Sequence, residues 1–218
     1  MKNIGIAFIL FVLVAVASSS KQPNPKILII GDSISNGYTP FVKEELKDIA
    51  EVHHNPGNAK HTENGLKHIE SWLAAGDWDI IHFNWGLWDL CYRHPDSKVQ
   101  GNRDKVNGTI TFGPEEYEKN LNTLVKLIKK HSNAELIFAT TTFVPEKEAG
   151  RFQEDAITYN TIAKKIMKAN GVKINDIFEV SKIIHNEYGK GIDDVHYTEK
   201  GYELLGEHVS NFIKQLIK

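Results

Sequence analysis

The chain has 218 residues, 41% of them hydrophobic and 25% charged, with a formal net charge of −2. Acidic and basic residues are interspersed with no run long enough to track a phosphate backbone, so nucleic acid and anionic membrane surfaces are poor partners. Cys91 is the single cysteine; no internal disulfide can form, and its apolar surroundings read as those of a packed thiol.

The N-terminus reads as a targeting segment. Lys2 gives a positive start, Ile4 to Ala17 is an apolar or small run of 14 residues, and Ala15-Val16-Ala17 has the small-x-small form that signal peptidase accepts. The run is short of the ~20 residues a membrane-spanning helix needs. The expectation is a signal peptide over 1–17, secretion or periplasmic export, and no stable membrane insertion. What remains, roughly 200 residues, suits a single domain over 24–218 that can bury a core without disulfides.

After that segment, apolar runs alternate with helical patterns. Lys26–Ile30 is continuously apolar and ends at Gly31, as a strand buried on both faces does. A helix over 40–50 follows, then a weaker strand over Ala50–His54 and a helix over 62–76. Asp79–Phe83 reads as another buried strand. Tyr92 to Gly113 is a long polar loop, and loops of that length are more often functional than idle. From Glu115 to Lys130, Tyr117, Leu121, Leu124 and Ile128 mark one helical face. Strand Glu135–Ala139 comes next, then a helical face through Ile157, Ile162, Ala163, Ile166 and Met167 that stops at Gly171. A weak strand over Val172–Asn175 and a last helix from Thr198 complete the chain. Strand–helix alternation predicts parallel strands with helices on both faces, a three-layer α/β/α sandwich, with ligands bound beyond the carboxyl ends of the strands.

Two post-strand segments carry chemistry. Gly31-Asp32-Ser33 places a serine at the start of a helix, its hydroxyl at the sheet edge and its N–H aimed outward. Asp193-Asp194-Val195-His196 precedes the last helix. A serine hydroxyl attacks only when an imidazole takes its proton, and the imidazole needs an acceptor to fix its tautomer. Asp193, three residues before His196, is the preferred acceptor; Asp194, closer in sequence, is the alternative with the harder geometry.

Together with His54-Asn-Pro-Gly-Asn-Ala-Lys-His-Thr62 and Asp79-Ile-Ile-His-Phe-Asn-Trp-Gly-Leu-Trp-Asp89, these segments form four blocks in order. The chain thereby resembles the SGNH (GDSL-like) hydrolase family over essentially all of its length beyond Lys26. The resemblance implies a flavodoxin-like sheet of five parallel strands and ester hydrolysis through an acyl-serine, without metal or organic cofactor. It implies Ser33 as nucleophile, His196 as base and Asp193 as the orienting acid.

Two departures from the family pattern concern the oxyanion hole. The third block usually ends Gly-x-Asn-Asp, but here Trp88 stands at the Asn position; its indole N–H, or the amide of Asn84, is a candidate donor. The second block usually offers a glycine N–H, and Gly57, Ala59 or Lys60 falls near that place depending on the register. Losing one such donor typically lowers kcat by about 10²–10³.

Export, aromatic residues near the third block and a polar loop point to a short-chain carbohydrate esterase, with acetyl as the expected acyl group and Trp85, Tyr92 and Arg93 as substrate-binding candidates. A lysophospholipase or lipid esterase and a non-catalytic glycan-binding module are the alternatives. His53, His54, His61 and His68 follow no zinc spacing, and His82 within an apolar strand reads as a core histidine.

Overall fold

The structure, a computed structural model, describes residues 23–217; the expected signal peptide lies outside the described residues. The elements run β1 (Lys26–Ile30), α1 (Ser33–Leu46), β2 (Glu51–His54), α2 (Thr62–Leu73), β3 (Ile80–Phe83), β4 (Tyr92–Arg93), β5 (Thr109–Ile110) and α3 (Pro114–His131). They continue with β6 (Glu135–Ala139), α4 (Gln153–Ala169), β7 (Lys173–Asn175), α5 (Phe178–Tyr188), β8 (Gly189–Gly191), β9 (Asp194–Tyr197) and α6 (Glu199–Lys214).

Five strands form one parallel sheet in the order β2-β1-β3-β6-β7. Its central strands are buried at nearly every residue, which is why they read as continuous apolar runs rather than alternating ones. In the helical layers α1 packs on α6 and α6 on α5, while α2 packs on α3 and α3 on α4. No helix of the described residues is long and apolar enough to cross a membrane. The chain winds outward from β1 to β2 and then reverses to β3, so the crevice at this switch point lies between the ends of β1 and β3.

Three local differences from the sequence expectations have physical causes. Helix α1 starts at Ser33, not near residue 40, and runs through Gly37 and Pro40, both poor helix signals. Gly37 is there for contact: a Cβ at this position would lie 2.3 Å from the Tyr202 ring of α6, so glycine lets the two helices close together. The Tyr92–Gly113 segment is folded rather than irregular. Strands β4 and β5 pair antiparallel within it, and the Tyr92 N–H and Lys105 N–H reach the Gly150 and Ala149 carbonyls. Finally, α5 and the β8–β9 hairpin were not anticipated; both lie within the last expected inter-element segment.

His82 is fully buried, with Nε2 3.4 Å from Asn175 Nδ2. Burial pushes its pKa down to about 4, so it is a neutral core residue. Cys91 is buried as a free thiol, raised in pKa mainly by that burial.

Candidate active site

Ser33 is the first residue of α1, and the Asp32 carboxylate caps the helix by accepting the Ile34 N–H at 2.9 Å. Asp32 is buried, which raises its pKa against the opposing effects of the Ile34 N–H, Arg151 and His196. The cap leaves the Ser33 N–H among the helix-start groups that have no intrahelical acceptor.

Ser33 Oγ lies 2.9 Å from His196 Nε2. On the other side of the ring, His196 Nδ1 lies 2.5 Å from Asp194 Oδ1, which also accepts the His196 backbone N–H at 3.0 Å. Partial burial pushes the Asp194 carboxyl up, but the His196 N–H, the His196 ring and the Arg103 guanidinium outweigh it and hold it below the usual range.

The expectation for Asp193 is corrected here. Asp194 and His196 are two apart on strand β9, so their side chains share one face. Asp193 precedes the strand and is exposed, and the bond to His196 Nδ1 is made by Asp194 instead. The three-residue spacing suits a loop, and no local pattern marks the β8–β9 hairpin that sets the two-residue one. His185 of α5 completes the support, its Nε2 2.7 Å from the Asp194 carbonyl; nothing in the sequence singled it out.

A second serine–histidine contact lies deeper. Ser35 Oγ is 2.7 Å from His54 Nε2 and 2.8 Å from the Asp32 carbonyl, but Ser35 is buried. His54 Nδ1 faces the Asn55 carbonyl, not a carboxylate. This pair ties β2 to α1 beneath the crevice and has neither the exposure nor the acid that Ser33 has.

The oxyanion candidates are placed differently from one another. The Ala59 N–H donates to the Gly31 carbonyl at 2.9 Å and the Asn84 amide to the Ala139 carbonyl at 2.8 Å, so both donors expected there are committed to the framework. Gly57 is exposed in the left-handed region at φ 69°, its carbonyl accepting from Asn36 Nδ2 at 3.0 Å. Lys60 is the telling residue. It sits at φ 53°, a conformation that costs a non-glycine residue roughly 1 kcal/mol or more, with its N–H on Asn58 Oδ1 at 2.7 Å. The backbone there has the form a glycine prefers, and lysine occupies it.

Trp88 is half-buried, with the Arg93 guanidinium 4.8 Å from its ring centre. Its neighbours are tightly held. Asp89 is buried and accepts the Thr62 N–H at 2.9 Å and the Thr62 hydroxyl at 2.5 Å. Burial, only partly offset by those bonds, lifts its pKa to about 7. The Leu87 carbonyl accepts from Arg151 Nε at 2.6 Å. Arg151 and Arg103 both bind Glu148 Oε1, at 2.8 and 2.5 Å, and the Gly150 N–H takes Oε2 at 2.7 Å. Glu148 is fully buried, so two cations hold a single carboxylate between its own loop and that of Arg103.

The substrate-binding expectation for Trp85 is also corrected. It is 1% exposed and packs on Phe83, in space that exists because residue 65 is glycine; a Cβ there would come within 2.6 Å of the indole. Tyr92 is half-buried against Phe152, edge to face at 5.4 Å. Arg93 remains at the surface beside Trp88, with Nη1 on the Gly101 carbonyl. His61 lies near it, against Phe112 at 4.9 Å; burial lowers its pKa, and Lys67, Lys60 and Arg93 push the same way against Glu63. Among the described residues no group of three or more acidic, histidine or cysteine side chains is arranged to hold a metal.

A search of solved structures finds the same fold in several esterases. An acetyl xylan esterase aligns at TM-score 0.67 and 19% identity, over 86% of this chain and 99% of its own. A lipase/acylhydrolase from Enterococcus faecalis aligns at 0.68 and 20%, over 89% and 97%. An acetylxylan esterase from Geobacillus stearothermophilus aligns at 0.67 and 18%, over 87% and 94%. No curated protein matches the chain. The profile of the GDSL-like lipase/acylhydrolase family matches residues 29–204, which include Ser33, Asp194 and His196. The chain belongs to the GDSL-like lipase/acylhydrolase family and is a hydrolase of carboxylic esters.

Proposed function

We propose that the protein is an exported esterase that removes short acyl groups, acetyl foremost, from extracellular carbohydrate. The observation that carries the mechanism is the Ser33 Oγ–His196 Nε2 distance of 2.9 Å, backed by Asp194 at 2.5 Å on the far ring nitrogen. Ser33 Oγ attacks the ester carbonyl carbon while its proton passes to His196 Nε2. Asp194 keeps Nδ1 protonated and stabilises the imidazolium without taking the proton. The tetrahedral oxyanion forms beside the Ser33 N–H at the α1 N-terminus. Its collapse expels the alkoxide, which takes the proton from His196, and leaves acyl-Ser33. A water then attacks the acyl carbon, giving its proton to His196, and the free acid and Ser33 are regenerated.

Export rests on the N-terminal pattern, and a single catalytic domain over 24–218 follows from it. The carbohydrate reading draws on the polar rim, which includes Asn58, Lys60, His61 and Arg93, and on the acetylxylan esterases among the structures of like fold. The lipid reading would call for an apolar groove, to which these residues are ill suited.

The test has two parts. A fluorophosphonate should label Ser33 in the folded protein, and Ser33→Ala should abolish labelling and lower kcat on an aryl acetate by about 10⁴–10⁶-fold. Labelling elsewhere, or full turnover in the variant, refutes the mechanism. Acetate release from acetylated xylan, with no release of long-chain fatty acid from lysophospholipid, supports the substrate; the reverse pattern refutes it.

A further inference from the structure

The chain carries a net charge of −2, yet Lys60 and Arg93 both stand near enough to His61 to push its pKa down. Neither Lys60 nor Arg93 makes a salt bridge among the described residues. Two carboxylates of this region have partners of their own. Glu63 pairs with Lys67 at 3.0 Å, and Asp104 accepts the Val106 and Asn107 N–H groups at 2.9 Å each. Behind the rim, Arg103 and Arg151 are both committed to Glu148.

Both departures from the family pattern contribute to this rim. At the glycine-like position a lysine is kept in a left-handed conformation, its N–H held by the Asn58 side chain, and such outliers cluster at active sites and ligand clamps. At the asparagine position Trp88 supplies a face on which Arg93 lies at 4.8 Å. Arg93 is further fixed by the Gly101 carbonyl, by the β4–β5 pairing and by its bridge to Arg103. The Gly101 bond engages Nη1, leaving most of a pre-positioned planar fork unused, and such a fork matches a carboxylate or sulfate through two parallel bonds.

We propose that the alcohol portion of the natural ester carries an anionic group, a carboxylate or a sulfate, which Arg93 on its Trp88 platform and the ammonium of Lys60 receive. This inference rests on the esterase reading above and narrows it to acidic carbohydrate. It gives the two substitutions a shared purpose: the loops that would otherwise serve only the oxyanion also select the substrate.

The experiment compares kcat/KM for an O-acetylated methyl glucuronoside, the corresponding neutral glucoside and its 6-sulfate, with p-nitrophenyl acetate as the control for esterase activity. The expected result is a preference of about tenfold for at least one acidic sugar over the neutral one at low salt, shrinking as ionic strength rises. Which acidic sugar is preferred identifies the anion. Arg93→Gln should cut the acidic-to-neutral ratio about fivefold or more. Lys60→Gly is the second variant, because glycine fits the φ of 53°. It should raise or hold the thermal midpoint while lowering the same ratio, a combination that a merely structural lysine would not produce. Equal use of all three sugars, or a ratio unmoved by both variants, overturns the inference. Failure on p-nitrophenyl acetate as well would instead count against the esterase reading.

Discussion

The nucleophile side of the crevice and the oxyanion side are held by different physics. On the nucleophile side three side chains meet through two bonds, and their alignment follows from local rules: a capped helix start for Ser33 and a two-residue strand period for Asp194 and His196. The oxyanion side has no such local rule. Its loops are fastened by Asp89 under Thr62, by Arg151 on the Leu87 carbonyl, and by Glu148 between two guanidiniums. The first arrangement tolerates change around it so long as the strand and cap persist. The second depends on buried polar groups whose cost is high if any partner is lost. One side therefore keeps the family's residues, while the other has exchanged them for Lys60 and Trp88 on a rigid base.

The largest expected effect separates the two aspartates. Asp194→Asn should lower kcat by about 10⁴-fold through loss of the imidazole's tautomer and orientation, while Asp193→Asn stays within about twofold. Steady-state kinetics on an aryl acetate decides this, and the opposite ranking would return the role to Asp193. In the same assay, Ser35→Ala should leave turnover within about twofold, because its hydroxyl is buried and lacks an acid partner.

A smaller change is expected on the other side. Trp88→Asn places an amide where the family has one and removes the platform under Arg93. We expect kcat on p-nitrophenyl acetate to rise by about tenfold, a fraction of what one oxyanion donor contributes. A fall in kcat would mean that the indole N–H already serves.

A last prediction concerns stability rather than turnover. Asp89 has a folded pKa of about 7, raised from the model-peptide value of 3.8. The group binds a proton more tightly when folded, so its contribution is fully present below pH 3.8 and is lost as pH rises toward 7. Over that window it should lower stability by at most about 4 kcal/mol. Chemical denaturation of wild type and Asp89→Asn from pH 4 to 8 should show a shallower pH slope in the variant; parallel curves would place the dependence elsewhere.

How much could be read in advance varied with the kind of signal. Strands β1, β3 and β6 are buried on both faces, so their apolar runs marked them almost to the residue. Helix α1 was misplaced because Gly37 and Pro40 obey a contact with α6 rather than helix propensity. Trp85 looked like a surface aromatic because nothing local reveals that Gly65 opens a slot for it. His185 and Glu148 support the site from elements distant in sequence, where no motif could flag them.

By itself the sequence determined the parallel sandwich, the family, and the serine and histidine of the site, because hydrophobic period and motif spacing are local properties. Which aspartate meets the histidine, which donors are already bound to the framework, and which cations stay unpaired were decided only by tertiary structure. Those depend on strand register and on partners brought together across the chain, and neither leaves a trace in the spacing of residues along it.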